Sequence, residues 1–167
     1  MHLALTDLFR ARWTDAIHDE WLRNVLKSRP DLTRPQLEHT RDLMNAHVRD
    51  CLITDYEDLI PVLALPDPDD RHVLAAAVRG RADVIVTFNL SDFPASALAR
   101  HGVEARHPDE FVLRLLHLAP ELVATAVRRQ RQSLRNPPRS VDEFLATLER
   151  QSLTRTVARL RDFANLI

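Results

Sequence analysis

Apolar residues recur at helical spacing over most of this chain. Residues 14–27 predict a first helix, because Thr14 can cap its amino end. Three apolar positions four residues apart predict its buried face: Ile17, Trp21 and Val25. A second helix is predicted to follow Thr33, which can form a capping box with Gln36. Residues 1–10 resemble the end of an apolar helix that has no start signal of its own.

The middle of the chain alternates helices and strands. Asp67 can cap a helix that Gly80 ends, and an uninterrupted β-branched run over residues 83–88 follows. Such runs are typical of parallel strands that are buried on both faces. A short helix over residues 95–100, which Gly102 is predicted to end, repeats the order. Three strands are predicted, over residues 51–54, 83–88 and 103–106, and the pattern indicates a parallel α/β sandwich.

The last third of the chain is predicted to be helical throughout. Helices are expected over residues 109–118, 120–134 and 153–163, and a further helix is expected to begin after Ser140. We therefore divide the chain into an α/β domain over residues 1–107 and an α-helical C-terminal extension over residues 108–167.

The composition is that of a globular domain. The 167 residues are 45% hydrophobic and 28% charged, which supplies one buried core and excludes disordered, collagen-like and membrane classes. The net charge of −1 conceals an asymmetry, since residues 1–107 carry 13 basic and 17 acidic side chains. Residues 108–167 carry 10 basic and 7 acidic side chains, so the chain is acidic early and basic late.

Several classes of site are excluded because the chain lacks the residues or the spacing that they require. Cys51 is the single cysteine, so an internal disulfide and a thiolate metal cluster are excluded, and an intracellular protein is predicted. Charged residues interrupt the first twenty positions, which predicts a cytoplasmic protein without a signal peptide or membrane span. The histidines lack zinc-ligand spacing. The chain has glycine only at positions 80 and 102, which excludes a phosphate loop or a dinucleotide motif.

Three carboxylates lie close together at the start of the predicted helix after residue 66. Asp67, Asp69 and Asp70 can satisfy free backbone amides at the positive end of the helix. Capping explains one or two of them. Three within four positions repel one another unless a cation lies nearby, so metal binding is the second interpretation.

Polar residues also follow the predicted strand over residues 83–88. Thr87, Asn89 and Asp92 lie at its carboxyl end, the edge at which parallel sheets bind ligands. An ordinary turn would have the same composition. Glu20 borders the buried face of the first helix, where a surface role is the alternative. Topology predicts that the cluster of Asp67, Asp69 and Asp70 converges with Glu20 and Asp92.

Two segments of this chain resemble the PIN-domain family of VapC-like ribonuclease toxins. They are Pro-Asp-Pro-Asp-Asp-Arg-His-Val-Leu-Ala-Ala-Ala at residues 66–77 and Phe-Asn-Leu-Ser-Asp-Phe-Pro at residues 88–94. The resemblance implies a three-layer sandwich, RNA as the substrate and a cognate antitoxin protein as the partner. It also implies Mg²⁺ or Mn²⁺ held by Glu20, Asp70 and Asp92, with Asn89 beside them and Thr87 supporting the turn.

The first of the four acidic positions of the family has no counterpart in this sequence. In the family it lies on an opening strand, before the position of Met1. We therefore expect a shortened start, weaker Mg²⁺ binding and an open strand edge. A second copy of the chain or a partner segment is expected to fill that edge.

Arginines are concentrated in the predicted helix over residues 120–134 and just after it. Arg128, Arg131 and Arg135 are spaced to share one helix face that could bind RNA, although a solvated face is the alternative. Two hypotheses follow, a metal-dependent ribonuclease toxin and a catalytically inactive PIN-like module that binds RNA or a protein partner. A helix-turn-helix regulator over residues 140–163 is disfavoured, because no recognition helix stands out.

Overall fold

The structure is a computed structural model that describes residues 2–167. It is 63% helical and contains a parallel two-stranded sheet, formed by β1 (Val84–Val86) and β2 (Glu104–Arg106). Its α-helices are α1 (Asp15–Ser28), α2 (Arg34–His47), α3 (Arg71–Arg79), α4 (Ala95–Leu98), α5 (Pro108–Leu118), α6 (Pro120–Ser133), α7 (Val141–Arg150) and α8 (Thr154–Leu160). The predicted α/β class with a parallel sheet and C-terminal helices is confirmed. None of the described helices is long and apolar enough to cross a membrane.

Backbone contacts divide the chain into two compact units. The acid-bearing unit comprises Arg10–Ile85 and Asn89–Ala105. The helical unit comprises the N-terminal residues through Phe9, Val86–Phe88 and Arg106–Ile167. Each unit has a hydrophobic core of its own, the first around Leu74 and the second around Leu116, both fully buried.

The first two helices begin where their capping residues predict. The hydroxyl of Thr14 accepts a hydrogen bond from the backbone N–H of Ile17 at 3.1 Å, and Thr33 forms its capping box with Gln36. The buried positions of α1 differ from the prediction. His18 and Leu22 are buried, whereas Ile17, Trp21 and Val25 are only partly buried. The predicted face was wrong by one position, because a histidine with polar partners can occupy the interior.

A polar network around His18 ties α1 to α2. The indole N–H of Trp21 donates to Nδ1 of His18 at 2.8 Å, so Nδ1 is the acceptor nitrogen of the ring. Nε2 therefore carries the proton and donates to Oδ1 of Asn45 at 3.0 Å. The same oxygen accepts the indole N–H of Trp13 at 2.7 Å. The neutral form of the imidazole thus satisfies both ring nitrogens while it is buried.

The strands are shorter than the apolar runs predict. Residues 51–54 form an isolated parallel bridge between Leu52 and Trp13 instead of a strand. In β1, Ile85 is buried but Val86 is 44% exposed, so the prediction of burial on both faces is wrong. Successive side chains point to opposite faces of a sheet, and the described chain covers one face of β1 more fully than the other. The predicted apolar helix before residue 10 is a single 3₁₀ turn over His2–Leu5.

The two glycines act at element ends in different ways. Gly80 caps α3 where the chain passes close to a core residue, since an added Cβ would lie 2.5 Å from Cδ1 of Ile53. Gly102 ends the turn after α4 with a φ of +69°, the left-handed conformation that glycine adopts without strain. Both confirm the predicted helix stops.

The helical unit packs its four helices around one apolar core. Its fully buried side chains include Leu116 from α5, Val123 from α6 and Leu160 from α8. Helix α7 begins with the predicted capping box, in which Ser140 and the carboxylate of Glu143 satisfy each other's backbone N–H groups. The capping signal at Ser140 therefore places the start of α7 correctly.

Asp109 in the first turn of α5 makes hydrogen bonds to the start of α8. Its carboxylate accepts the backbone N–H groups of Arg155 at 3.0 Å and Thr156 at 2.7 Å. The hydroxyl of Thr156 donates in return to the backbone carbonyl of Asp109 at 3.0 Å. Burial opposes ionisation of this carboxylate, but the hydrogen bonds from Thr156 and Arg155 outweigh it and lower the pKa of Asp109.

We expect Asp109→Asn to lower the free energy of unfolding by about 1–3 kcal/mol at neutral pH, because it weakens two charge-assisted hydrogen bonds. A folded-state pKa below the unfolded value means that the contribution is present above the unfolded pKa and is lost as the pH falls. Urea denaturation of both proteins should show their difference closing below about pH 4. Asp162→Asn, which removes an exposed ion pair with Arg159, is the control and should leave stability nearly unchanged.

Candidate metal centre

Two of the clustered acids lie in the turn that leads into α3. Pro68–Asp70 form one turn of 3₁₀ helix, and Oδ1 of Asp67 accepts the backbone N–H of Asp69 at 2.9 Å. Asp67 therefore caps the turn, as predicted. Asp70 follows at the junction with α3, where it is partly buried, while Asp69 is exposed.

A third carboxylate comes from the turn after β1. Asp92 ends the 3₁₀ turn Leu90–Asp92, and the side-chain amide of Asn89 donates a hydrogen bond to its Oδ2. The hydroxyl of Ser91 donates to Oδ1 of Asn89 at 2.6 Å, which orients that amide. The polar turn at residues 89–92 thus presents the carboxylate of Asp92 in a defined direction.

Asp67, Asp70 and Asp92 converge on one point of the acid-bearing unit. One carboxylate oxygen from each of the three lies within 4.8 Å of the others. None of the ion pairs recorded for residues 2–167 involves these three residues. Two oxygens that share one Mg²⁺ lie at most about 4.2 Å apart, so small side-chain rotations suffice to bring these oxygens onto one ion.

Burial and the negative charges of neighbouring carboxylates raise the pKa of Asp70. Burial is the largest cause of the raised pKa of this carboxyl, followed by the negative charges of Asp92, Asp67 and Glu20. A raised pKa in a group of carboxylates is the expected result of like charges held together. The cluster therefore favours a proton or a cation.

Glu20 lies near this cluster but has a partner of its own. Its Oε1 lies 3.0 Å from Nε2 of His72, and the side chain of Glu20 is 38% exposed. Glu20 contributes to the raised pKa of Asp70 from α1, although it is not one of the three mutually adjacent carboxylates. The resemblance implies Glu20, Asp70 and Asp92 as ligands, and Asp67 was predicted to cap the helix, with metal binding by its cluster as the second interpretation. The metal-binding role of each residue stays a prediction.

The predicted arginine face is only partly realised. Arg128 is exposed on α6, and Arg131 donates from its guanidinium to the backbone carbonyl of Arg139 at 2.8 Å. Arg135 lies outside α6, which ends at Ser133, so the prediction of one helix face shared by all three arginines is wrong. The physical reason is the Asn-Pro-Pro segment at residues 136–138, since a residue before proline avoids helical backbone angles.

Thr87 lies at the end of β1, as its position in the sequence predicted. Its backbone N–H donates to the carbonyl of Arg106 at 3.0 Å. By backbone contacts it belongs to the helical unit. A supporting role for its hydroxyl stays a prediction.

Comparison with known families identifies the part of the chain that carries the acids. The family model described as PIN domain matches residues 1–91, more than half of the 167 residues. The chain belongs to the PIN-domain family. A second family model, described as VapC50 C-terminal domain, matches residues 108–162. The PIN-domain match contains Asp67 and Asp70 and ends just before Asp92.

A curated relative is similar to part of the chain. It carries the name "Putative ribonuclease VapC50", comes from Mycobacterium tuberculosis (strain ATCC 25618 / H37Rv), and is 42% identical over 96 residues. The match covers 58% of this chain and 56% of that relative, so the matched region spans about half of its length. No solved structure matches the chain.

We expect Asp70→Asn to raise the melting temperature of the metal-free protein by about 1–3 °C at pH 7, because it removes one charge from a repulsive group. The raised pKa of Asp70 means that its ionisation destabilises the fold as the pH rises through the folded pKa. Thermal melts in EDTA should therefore show the gain at neutral pH and not below about pH 4. Asp69→Asn is the matched control, and a large fall for Asp70→Asn would instead indicate a structural role.

Proposed function

We propose that this chain is a divalent-metal-dependent ribonuclease that hydrolyses RNA phosphodiester bonds. The observation that carries the proposal is the convergence of Asp67, Asp70 and Asp92, in a PIN-domain chain, without a cationic partner among the ion pairs of the described residues. Burial and then the charges of Asp92 and Asp67 raise the pKa of Asp70, so holding these carboxylates together has an energetic cost. A fold that keeps such an arrangement is suited to bind a cation.

The donor set fits Mg²⁺ or Mn²⁺. All three converging groups are carboxylates, and hard divalent cations prefer oxygen ligands. We assign the cation to Asp67, Asp70 and Asp92, with Glu20 as a fourth acid nearby. When bound, such a cation lowers the pKa of water and offsets the negative charge of the reacting phosphate.

Neighbouring side chains would orient the acids. Asn89 donates to Oδ2 of Asp92 and orients that carboxylate, while the Ser91 hydroxyl makes only a long contact of 3.5 Å with Oδ1. His72 holds Glu20 from α3, a contact that joins positions 52 residues apart in the chain. We retain Thr87 as a residue that supports the turn before Asn89. In hydrolysis, water forms the new bond to phosphorus, the bond to the leaving oxygen breaks, and that oxygen takes up a proton.

We further propose that the chain is the toxin of a toxin-antitoxin pair. The similarity to a relative named as a VapC ribonuclease and the match to the VapC50 C-terminal domain support this proposal. The partner would be an antitoxin protein that blocks the acids. Arg128, Arg131 and Arg135 remain candidate RNA-binding residues, with Arg128 the most accessible on α6.

The test measures metal binding and cleavage separately. We expect Mn²⁺ to raise the melting temperature of the wild-type protein, because a ligand that binds the folded state stabilises it. Asp70→Asn and Asp92→Asn should lose most of this rise and should cleave single-stranded RNA at least about 100-fold more slowly. Asp69→Asn, whose side chain is exposed beside the cluster, should keep both properties.

Three outcomes distinguish the hypotheses. Equal cleavage by the wild-type protein and Asp70→Asn would remove the catalytic assignment. A wild-type protein that binds Mn²⁺ and RNA but cleaves nothing would be the inactive binding module. Loss of Mn²⁺ binding in the Asp69→Asn control would show that the site differs from the three assigned carboxylates.

A further inference from the structure

A cleft of about 490 Å³ lies on the acid-bearing unit beside Glu20 and His72. Its walls come from three helices, and its lining residues are Ala16, Asp19, Glu20, Arg23, Arg34 and His72. His72, which lines this cleft, follows Asp70 by two residues, and the charge of Glu20 helps to raise the pKa of Asp70. The cleft and the carboxylate cluster are therefore neighbouring parts of one surface.

Arg23 provides a cationic group without a carboxylate partner. It lies one turn after Glu20 on α1, so the two side chains lie on one side of that helix. Its Nε donates to the backbone carbonyl of Asp19 at 3.3 Å, and no carboxylate among the described residues is recorded as its partner. The side chain is exposed, so the outer nitrogens of its guanidinium are available to a ligand.

Arg34 provides a second cationic group from another helix. It is the first residue of α2, and its Nε donates to Oε1 of Glu38 at 2.8 Å. An arginine has five N–H donors, so the contact with Glu38 leaves most of them unused. The ion pair is solvent-exposed, which makes it weak and easily exchanged for another anion.

The cleft carries two arginines, Arg23 and Arg34, beside two carboxylates, Asp19 and Glu20, so it is less acidic than the surrounding sequence. Residues 1–107 carry more acidic than basic side chains, and their field repels RNA. A strand that reaches the carboxylate cluster therefore needs cationic contacts close to it. Arginine suits this purpose, because its planar group can donate two parallel hydrogen bonds to a phosphate.

We propose that the cleft is a phosphate subsite, in which Arg23 and Arg34 bind the RNA backbone next to the phosphate that is cleaved. The proposal rests on the proposed ribonuclease function and adds a positioning site to it. Arg23 is the main anchor because it is not engaged in an ion pair. Arg34 contributes less, since Glu38 competes with the phosphate for its guanidinium.

The subsite is tested by RNA binding without cleavage. The full chain is titrated into a fluorescently labelled single-stranded RNA in EDTA, and anisotropy is measured over a range of salt concentrations. We expect Arg23→Gln to weaken binding about 3–10-fold and to reduce the salt slope of log K by about 0.7, the value for one lost phosphate contact. Arg34→Gln should weaken binding less.

Arg41→Gln is the matched control. Arg41 lies on α2 like Arg34, but it pairs with Asp42 and does not line the cleft. The substitution removes the same charge, so an equal loss of binding in Arg41→Gln and Arg23→Gln would overturn the subsite in favour of non-specific attraction. An unchanged salt slope in Arg23→Gln would also overturn it. Circular dichroism melts of the variants check that the fold is retained.

An RNA cleavage assay in Mn²⁺ distinguishes failure of the phosphate subsite from failure of the proposed ribonuclease function. If the wild-type protein binds RNA through Arg23 but cleaves nothing, the subsite stands and the ribonuclease function fails. If it cleaves RNA with the same KM in the wild-type protein and Arg23→Gln, the function stands and the subsite fails.

Discussion

Repulsion among Asp67, Asp70 and Asp92 is the interaction on which the candidate metal centre depends. Two short turns, one leading into α3 and one after β1, bring the three carboxylates together. Buried neighbours anchor both turns, Leu74 behind the first and Phe93 after the second. The core therefore holds the backbone of both turns in place, and a proton or a cation would relieve the repulsion between the carboxylates.

Polar contacts orient the carboxylates of Asp92 and Glu20 but do not neutralise the charge of the cluster. Asn89 holds Asp92 from its own turn, whereas His72 reaches from α3 to Glu20 on α1. Glu20 also lines the cleft that contains Arg23 and Arg34. Arginines beside a carboxylate cluster suit the proposed polyanionic substrate, since the proposed cation site is acidic and phosphate contacts need cationic side chains.

Local chemistry explains which parts of the fold were predictable from the sequence. The caps at Thr14 and Ser140 and the stop at Gly102 act over a few residues, so they identify helix ends correctly. Burial was less predictable, because it depends on distant partners. His18 is buried where Ile17 was expected, since Asn45 and Trp21 satisfy its ring.

The sequence by itself determined the α/β class, the helix caps and the nature of the acids, because these depend on residue type and short-range spacing. Only the tertiary structure decided which acids meet. Asp67 joins Asp70 and Asp92, although residues 67 and 92 lie on different elements. It also decided that Arg135 lies beyond α6, where a prolyl segment ends the helix. The physical reason is that a side chain's neighbours across the fold are set by packing, which residue spacing does not encode.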